Sequence, residues 1–372
     1  MASAIQESPI TDSLIVSSND CDKESEERVV KSGKKIRDSG WFSGWLRWVP
    51  TSNEMLRAAE EQILGYLKNA YKGWFVTTKK GDRIRTIFMN NTNSQDKTPI
   101  VLVHGMGGGI GLWVQNLDAL SNVRPVYAFD LLGFGRSTRR KFPAYPDDAE
   151  REFIDSIEEW REEVGLDKMI LIGHSLGGFL SYAYGIQYPE RVKHMVLVDP
   201  WGFPERDEQF EQTRNFPLWL RVVRTIMLTF NPLSGLRAAG PLGHYLVGRL
   251  RPDLDRKFSS VDNQNTISKY IYHCNVQRPT GEEGFKSLQV FLAWAHNPMI
   301  NRIADLDKQV PLTVLYGSKS WMDSKMAYSI KYIRKDSQVN IKIVQGAGHH
   351  VYADKAESFN KIIQDVCRDI AD

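Results

Sequence analysis

Gly173-His174-Ser175-Leu176-Gly177 sets one serine between two glycines, directly after a short apolar run and directly before a small-residue helical pattern. The pattern is G-x-S-x-G, which needs a strand before it and a helix after it. Such a strand-to-helix elbow strains its central residue and brings the chain close to neighbouring backbone, so small flanking residues are required. Gly173 and Gly177 meet that need. The chemistry to expect is nucleophilic attack by Ser175, with the Leu176 amide at the helix start pointing at a developing oxyanion. A second donor is expected from "VLVHGMGGG", residues 101 to 109, a strand that ends in His104-Gly105 and runs into glycines. Met106 is the expected donor there, with Gly107 close behind. The glycine spacing is neither G-x-G-x-x-G nor G-x-x-x-x-G-K-[ST], which argues against a dinucleotide or phosphate loop.

An unassisted hydroxyl is a poor nucleophile at neutral pH, so Ser175 needs a base and a group to orient that base. "IKIVQGAGHHVYAD" supplies His349 from a glycine-rich loop after the last strand signal, with His350 as its neighbour. His349 is the expected base because it directly follows Gly346-Ala347-Gly348. For the orienting acid, the loop "YGSKSWMD" after the seventh strand signal offers Asp323, and "LVDPWGF" after the sixth offers Asp199. Asp323 is the expected acid and Asp199 its alternative. His349 and Asp354 also form H-x4-D, a pattern associated with glycerolipid acyltransfer. Asp354 and Glu357 together read as a capping box for the final helix. No metal is expected: adjacent histidines diverge and no third ligand is evident. No organic cofactor is expected either.

These residues need a scaffold. Short apolar runs occur at 73–77, 84–89, 100–103, 126–129, 169–172, 194–198, 312–316 and 340–343, with helical patterns at 147–164 and 177–188. The alternation predicts an α/β fold with a largely parallel sheet and flanking crossover helices, the first two runs pairing as a hairpin. Between Trp201 and Pro298 no strand signal of this kind appears, and Pro, Trp, Phe and Arg accumulate. That block reads as a cap inserted after the sixth strand. The expected organisation is a disordered leader over 1–38, a tryptophan-rich segment over 39–52, core over 53–200, cap over 201–298 and core again over 299–372.

The chain has 372 residues, 42% hydrophobic and 25% charged, which suits an ordinary globular enzyme. A net charge of +3 is too small and too evenly spread to indicate a nucleic-acid partner. Cys21, Cys274 and Cys367 are far apart and odd in number, with neither metal-ligand spacing nor a disulfide framework, which points to a reducing compartment. The amino terminus lacks the features of a secretory signal, and no run of about 18 apolar residues occurs. The expectation is a protein kept on the cytosolic side. Trp41, Trp45 and Trp48 recur at i, i+4 and i+7 just after Lys31, Lys34, Lys35 and Arg37. Indole rings favour the boundary between headgroups and acyl chains, so the segment reads as an interfacial anchor, against the alternative of internal packing.

HGMGGG, "FDLLGFGRS", GHSLGG, "DPWGFPER", "YIYHCNVQ" and "GAGHHVYAD" together resemble one branch of the α/β-hydrolase-domain family. That branch holds the lysophospholipase and N-acyl-phosphatidylethanolamine lipase, and also the lipid-droplet coactivator of adipose triglyceride lipase. The similarity covers roughly residues 39 to 370. It implies an α/β-hydrolase fold with an eight-stranded sheet, (lyso)phospholipid or N-acyl phospholipid substrates, and attachment to droplets or the cytosolic face of membranes. The coactivator carries Asn where the elbow serine belongs, whereas this chain has Ser175, so an active carboxylic ester hydrolase is expected. The rivals are a non-enzymatic scaffold that binds a triglyceride lipase or droplet-coat protein, and a lysophosphatidic acid acyltransferase.

Overall fold

The computed structural model describes residues 49–92, 96–206, 233–261, 265–291, 294–322 and 324–372. The leader, Trp41, Trp45 and Trp48, residues 207–232 of the insertion, and Asp323 lie outside them.

After helix α1 (Asn53–Leu64), strands β1 (Tyr71–Thr77) and β2 (Arg83–Met89) form an antiparallel hairpin. Next come β3 (Ile100–Val103), helix α2 (Val114–Ser121), β4 (Val126–Phe129), helix α3 (Pro146–Val164), β5 (Met169–His174), helix α4 (Leu176–Gln187) and β6 (Val192–Val198). The core resumes after the insertion with β9 (Leu312–Gly317), helix α10 (Lys325–Ile333), β10 (Val339–Val344), the short helix α11 (Val351–Asp354) and helix α12 (Ala356–Arg368). All eight expected runs are strands of one sheet, in the order β1-β2-β4-β3-β5-β6-β9-β10. β1 and β2 pair antiparallel, as do β2 and β4, and the remaining pairs are parallel.

Every residue of β3, β5 and β9 is buried, as expected of parallel strands covered on both faces. Successive side chains point to opposite faces, and the core divides accordingly. Val101, Val103 and Leu171 pack with Phe153 and Trp160 of α3 and Phe179 of α4. Ile100, Leu102, Ile170 and Ile172 pack with Leu117 of α2 and with Phe359 and Ile363 of α12. The long helix α3 is delimited by its sequence: Pro146 opens it, Asp147 and Asp148 complement its dipole, and Gly165 closes it in the left-handed region.

The insertion lies between β6 and β9. Its described helices are α5 (Ser234–Ala238), α6 (Gly243–Leu250), α7 (Asp253–Lys257), α8 (Thr266–Asn275) and α9 (Thr280–Ser287). It also holds a two-stranded antiparallel ribbon of β7 (Gln289–Phe291) and β8 (Trp294–Ala295), which corrects the expectation of an insertion without strands. Strands of three and two residues are too short to display an alternation.

The three parallel strands β5, β6 and β10 deliver their following loops to the same edge of the sheet. Ser175, Asp199 and His349 stand on those loops. The carboxyl edge of an open α/β sheet is where ligands bind.

Candidate active site

Ser175 follows β5 and opens α4 with φ +53° and ψ −117°, a conformation that costs about 1–3 kcal/mol and persists only where the surroundings hold it. Several backbone bonds do so. The Ser175 amide donates to the Val198 carbonyl at 3.1 Å, and its carbonyl accepts from Phe179 at 3.1 Å and from Trp201 at 3.2 Å. Glycine is required beside it: a Cβ on Gly177 would overlap the carbonyl oxygens of Val103 and His104, and one on Gly173 would overlap that of Gly177.

The hydroxyl meets an imidazole. His349 Nε2 lies 3.0 Å from Ser175 Oγ, and His349 Nδ1 lies 2.6 Å from Asp199 Oδ2. His350 makes neither contact; its ring lies tilted against that of His174, at 5.2 Å, and edge-on to that of Tyr352, at 6.0 Å. Burial pushes the His350 imidazole well below its usual range, and the cations of Lys257 and Arg251 push the same way.

The carboxylate on His349 is thus Asp199, which replaces the expected Asp323. β6 is the immediate neighbour of β5, so the loop that follows it carries Asp199 next to the elbow and within reach of His349. Asp199 is fully buried and has a positive φ of 47°. Its amide donates to Leu315 O at 2.7 Å, Gly317 N–H donates to its Oδ1 at 3.2 Å, and the Ser320 hydroxyl donates to its Oδ2. Ser320 was missed in the sequence, where nothing distinguishes it from other loop serines. The loop after β9 therefore supports the acid with Ser320, and it also brings the Trp321 ring to 5.3 Å from that of His349.

Two backbone segments expected to supply oxyanion donors touch at the elbow. A Cβ on Gly105 would fall 3.1 Å from the Cβ of Ser175, which measures how close the glycine loop runs to the elbow serine. The orientation of the Met106 amide is set through the preceding carbonyl. His104 Nε2 accepts the Leu131 amide at 3.0 Å, so Nδ1 carries the proton and donates to Gly105 O at 2.8 Å. Gly108 N–H donates to the same oxygen at 3.1 Å. In a trans peptide the N–H of Met106 points away from that held carbonyl. Leu176 is the first residue of α4, where amides have no partner within the helix. Further along the loop, Asp130 accepts the Ile110 amide at 2.8 Å and the Arg136 amide at 2.8 Å. Burial, with the Glu60 carboxylate adding to it, pushes Asp130 up to about 7.

Asp354 corrects a second expectation. Helix α12 begins at Ala356 with Lys355 at its N-cap position, and no side chain caps it. The Asp354 carboxylate instead turns back to accept the Gly348 amide at 2.9 Å, with Lys257 Nζ 3.4 Å from its other oxygen. It buttresses the loop that presents His349. Likewise, His174 Nε2 donates to the His349 carbonyl at 3.0 Å.

His104 gives a testable pH dependence. Burial lowers its pKa from 6.5 to about 4, so the unfolded chain takes up a proton before the folded protein does. Its contribution to stability is complete above pH 6.5 and is lost as pH falls toward 4, on the order of 3 kcal/mol in all. Asp130 acts in the opposite sense over pH 7 to 4, because there the folded protein binds the extra proton. It is present in both proteins and cancels from their difference. His104→Gln should therefore show a shallower loss of melting temperature between pH 6.5 and 4 than the unsubstituted protein, and parallel curves would contradict the buried neutral imidazole.

Among the described residues no group of three His, Cys, Asp or Glu side chains could hold a metal ion, and no helix is long and apolar enough to cross a membrane. Cys274 and Cys367 are buried free thiols.

Residues 98–356 match the family model described as alpha/beta hydrolase fold. The chain belongs to the α/β-hydrolase family. This α/β-hydrolase is 48% identical over 338 residues to 1-acylglycerol-3-phosphate O-acyltransferase ABHD5 of Mus musculus, covering 90% of this chain and 96% of the relative. It is 47% identical over 329 residues to the (lyso)-N-acylphosphatidylethanolamine lipase of Bos taurus, covering 88% and 96%. Among solved structures, carboxylesterase CesB from Bacillus subtilis superposes with a TM-score of 0.58 at 17% identity over 84% of this chain and 96% of that one, a likeness of fold alone.

Proposed function

We propose that this α/β-hydrolase is a serine hydrolase of lipid metabolism that removes acyl groups from (lyso)phospholipids or N-acyl phospholipids. The observation that carries the reading is the hydrogen-bonded chain Ser175–His349–Asp199. Ser175 Oγ attacks the acyl carbonyl while His349 Nε2 takes its proton, and the imidazolium is stabilised by the buried Asp199 carboxylate. The amides of Met106 and Leu176 receive the oxyanion. Collapse of the tetrahedral species expels the alcohol or amine, protonated by His349, and leaves an acyl-serine that water then cleaves. A lysophospholipid hydroxyl in place of water would make the same intermediate an acyl donor, which accommodates the acyltransferase named among the relatives.

The substrate class is supported by the relatives, whose names place their chemistry on the acyl groups of glycerophospholipids. The reaction is assigned to a membrane or lipid-droplet surface on the cytosolic side, reached through Trp41, Trp45 and Trp48. A coactivator that uses the fold only as a scaffold for a triglyceride lipase would need no reactive serine.

A fluorophosphonate probe separates these readings. Labelling located at Ser175, together with release of fatty acid from lysophosphatidylethanolamine or of the acyl group from N-acyl-phosphatidylethanolamine, is the expected result. An unlabelled Ser175 under conditions that label a control hydrolase would leave the scaffold as the better account. Acyl product formed from lysophosphatidic acid and an acyl donor would add transfer to hydrolysis.

A further inference from the structure

The glycine loop that carries Met106 is gripped from the insertion. Helix α8 ends at Asn275, which is 8% exposed. Its Nδ2 donates to the Gly107 carbonyl at 2.8 Å and to the Ile271 carbonyl at 2.7 Å, so both amide protons are used and the side chain is fixed. From the same helix, Tyr270 Oη accepts the Gly111 amide at 3.2 Å. The end of α8 is itself anchored: Arg139 Nη2 donates to Cys274 O at 2.9 Å and Arg237 Nη1 donates to Asn275 O at 2.8 Å. Met106 therefore sits between two held carbonyls, Gly105 fixed by His104 from the core and Gly107 fixed by Asn275 from the insertion.

We propose that Asn275 is a positioning residue for acyl transfer: by holding Gly107 O it keeps the Met106 amide where the oxyanion forms, making the insertion part of the catalytic machinery. The inference rests on the hydrolase reading above. A donor aimed at a transition state is worth most when it needs no rearrangement during the reaction, so a loosened loop weakens the transition state more than the bound substrate. Asn275 acts through Met106 and not on the substrate. Its loss should lower kcat and leave KM alone.

The test uses the full chain with p-nitrophenyl butyrate as substrate and a trifluoromethyl ketone, which forms a tetrahedral adduct with Ser175, as inhibitor. Asn275→Asp is nearly isosteric, but its carboxylate cannot donate to either carbonyl; Asn275→Ala removes the contact outright and serves should the first disturb folding. In variants that melt like the unsubstituted protein, kcat should fall about tenfold to a hundredfold, with KM unchanged and the ketone inhibition constant raised by the same factor. Folded variants with full kcat, or a fall in kcat without weaker ketone binding, would overturn the positioning role while leaving the hydrolase reading intact. An unsubstituted protein that neither turns over the ester nor binds the ketone would overturn both.

Discussion

Replacing Ser175 by alanine is expected to lower kcat for acyl-ester hydrolysis about a million-fold, the magnitude seen when the nucleophile of a hydrogen-bonded triad is removed. The expectation follows from geometry: the Ser175 oxygen is the one placed 3.0 Å from His349 Nε2, and alanine leaves the imidazole with nothing to activate. Fold should be retained, because the backbone bonds that hold the elbow use the amide and carbonyl of position 175 and not its side chain. Ser175→Gly adds a second readout. Serine at φ +53° stores about 1–3 kcal/mol of strain, which glycine relieves at a cost of about 0.4–1 kcal/mol in the entropy of the unfolded chain. The glycine variant should then be as inactive as the alanine variant and melt at a higher temperature. Kinetics paired with thermal unfolding of the two variants checks both halves; residual activity close to that of the unsubstituted protein would remove Ser175 from the mechanism.

The central strands β3, β5 and β9 were legible because each is a continuously buried, mostly apolar run, whereas the edge strand β10 was legible by alternation, with Asn340 and Lys342 exposed between less exposed apolar residues. The elbow was legible for a different reason. Close approach of Gly177 to the end of β3 forbids a side chain, so the constraint is written in the residue type itself. The acid was not legible in this way. Asp199 and Asp323 each follow a strand signal in the sequence, and choosing between them requires knowing which carboxylate meets the His349 ring in space. Nor could the roles of Asp354 and Asn275 be read: a carboxylate three residues before a glutamate looks like a cap, and an asparagine at a helix end looks like a helix terminus. Asn275 points elsewhere because a distant segment offers the Gly107 carbonyl, and Asp354 because its own loop folds back to offer the Gly348 amide. Such pairings are properties of the folded chain, and the sequence announces only the two partners' chemistry.

Asp199→Asn is the second large effect, expected to lower kcat by about four orders of magnitude. The reason lies in the donors around the carboxylate. Oδ1 accepts the Gly317 amide, so the asparagine NH2 cannot occupy that position without setting donor against donor. It is driven to the Oδ2 position, where it meets the Ser320 hydroxyl, which can rotate, and His349 Nδ1. An NH2 facing Nδ1 donates to it and forces the imidazole proton onto Nε2. That nitrogen then presents a proton to Ser175 Oγ and cannot take one away. The protein remains folded with its triad geometry nearly unchanged and the wrong tautomer in place, so substrate affinity should survive while turnover collapses. Asp323→Asn should leave kcat unchanged, because His349 Nδ1 is already bonded to Asp199. Steady-state kinetics on the two variants decides between the loops: a collapse with Asp323→Asn and full turnover with Asp199→Asn would move the orienting acid to the loop after β9 and break the hydrogen-bonded chain on which the proposed chemistry stands.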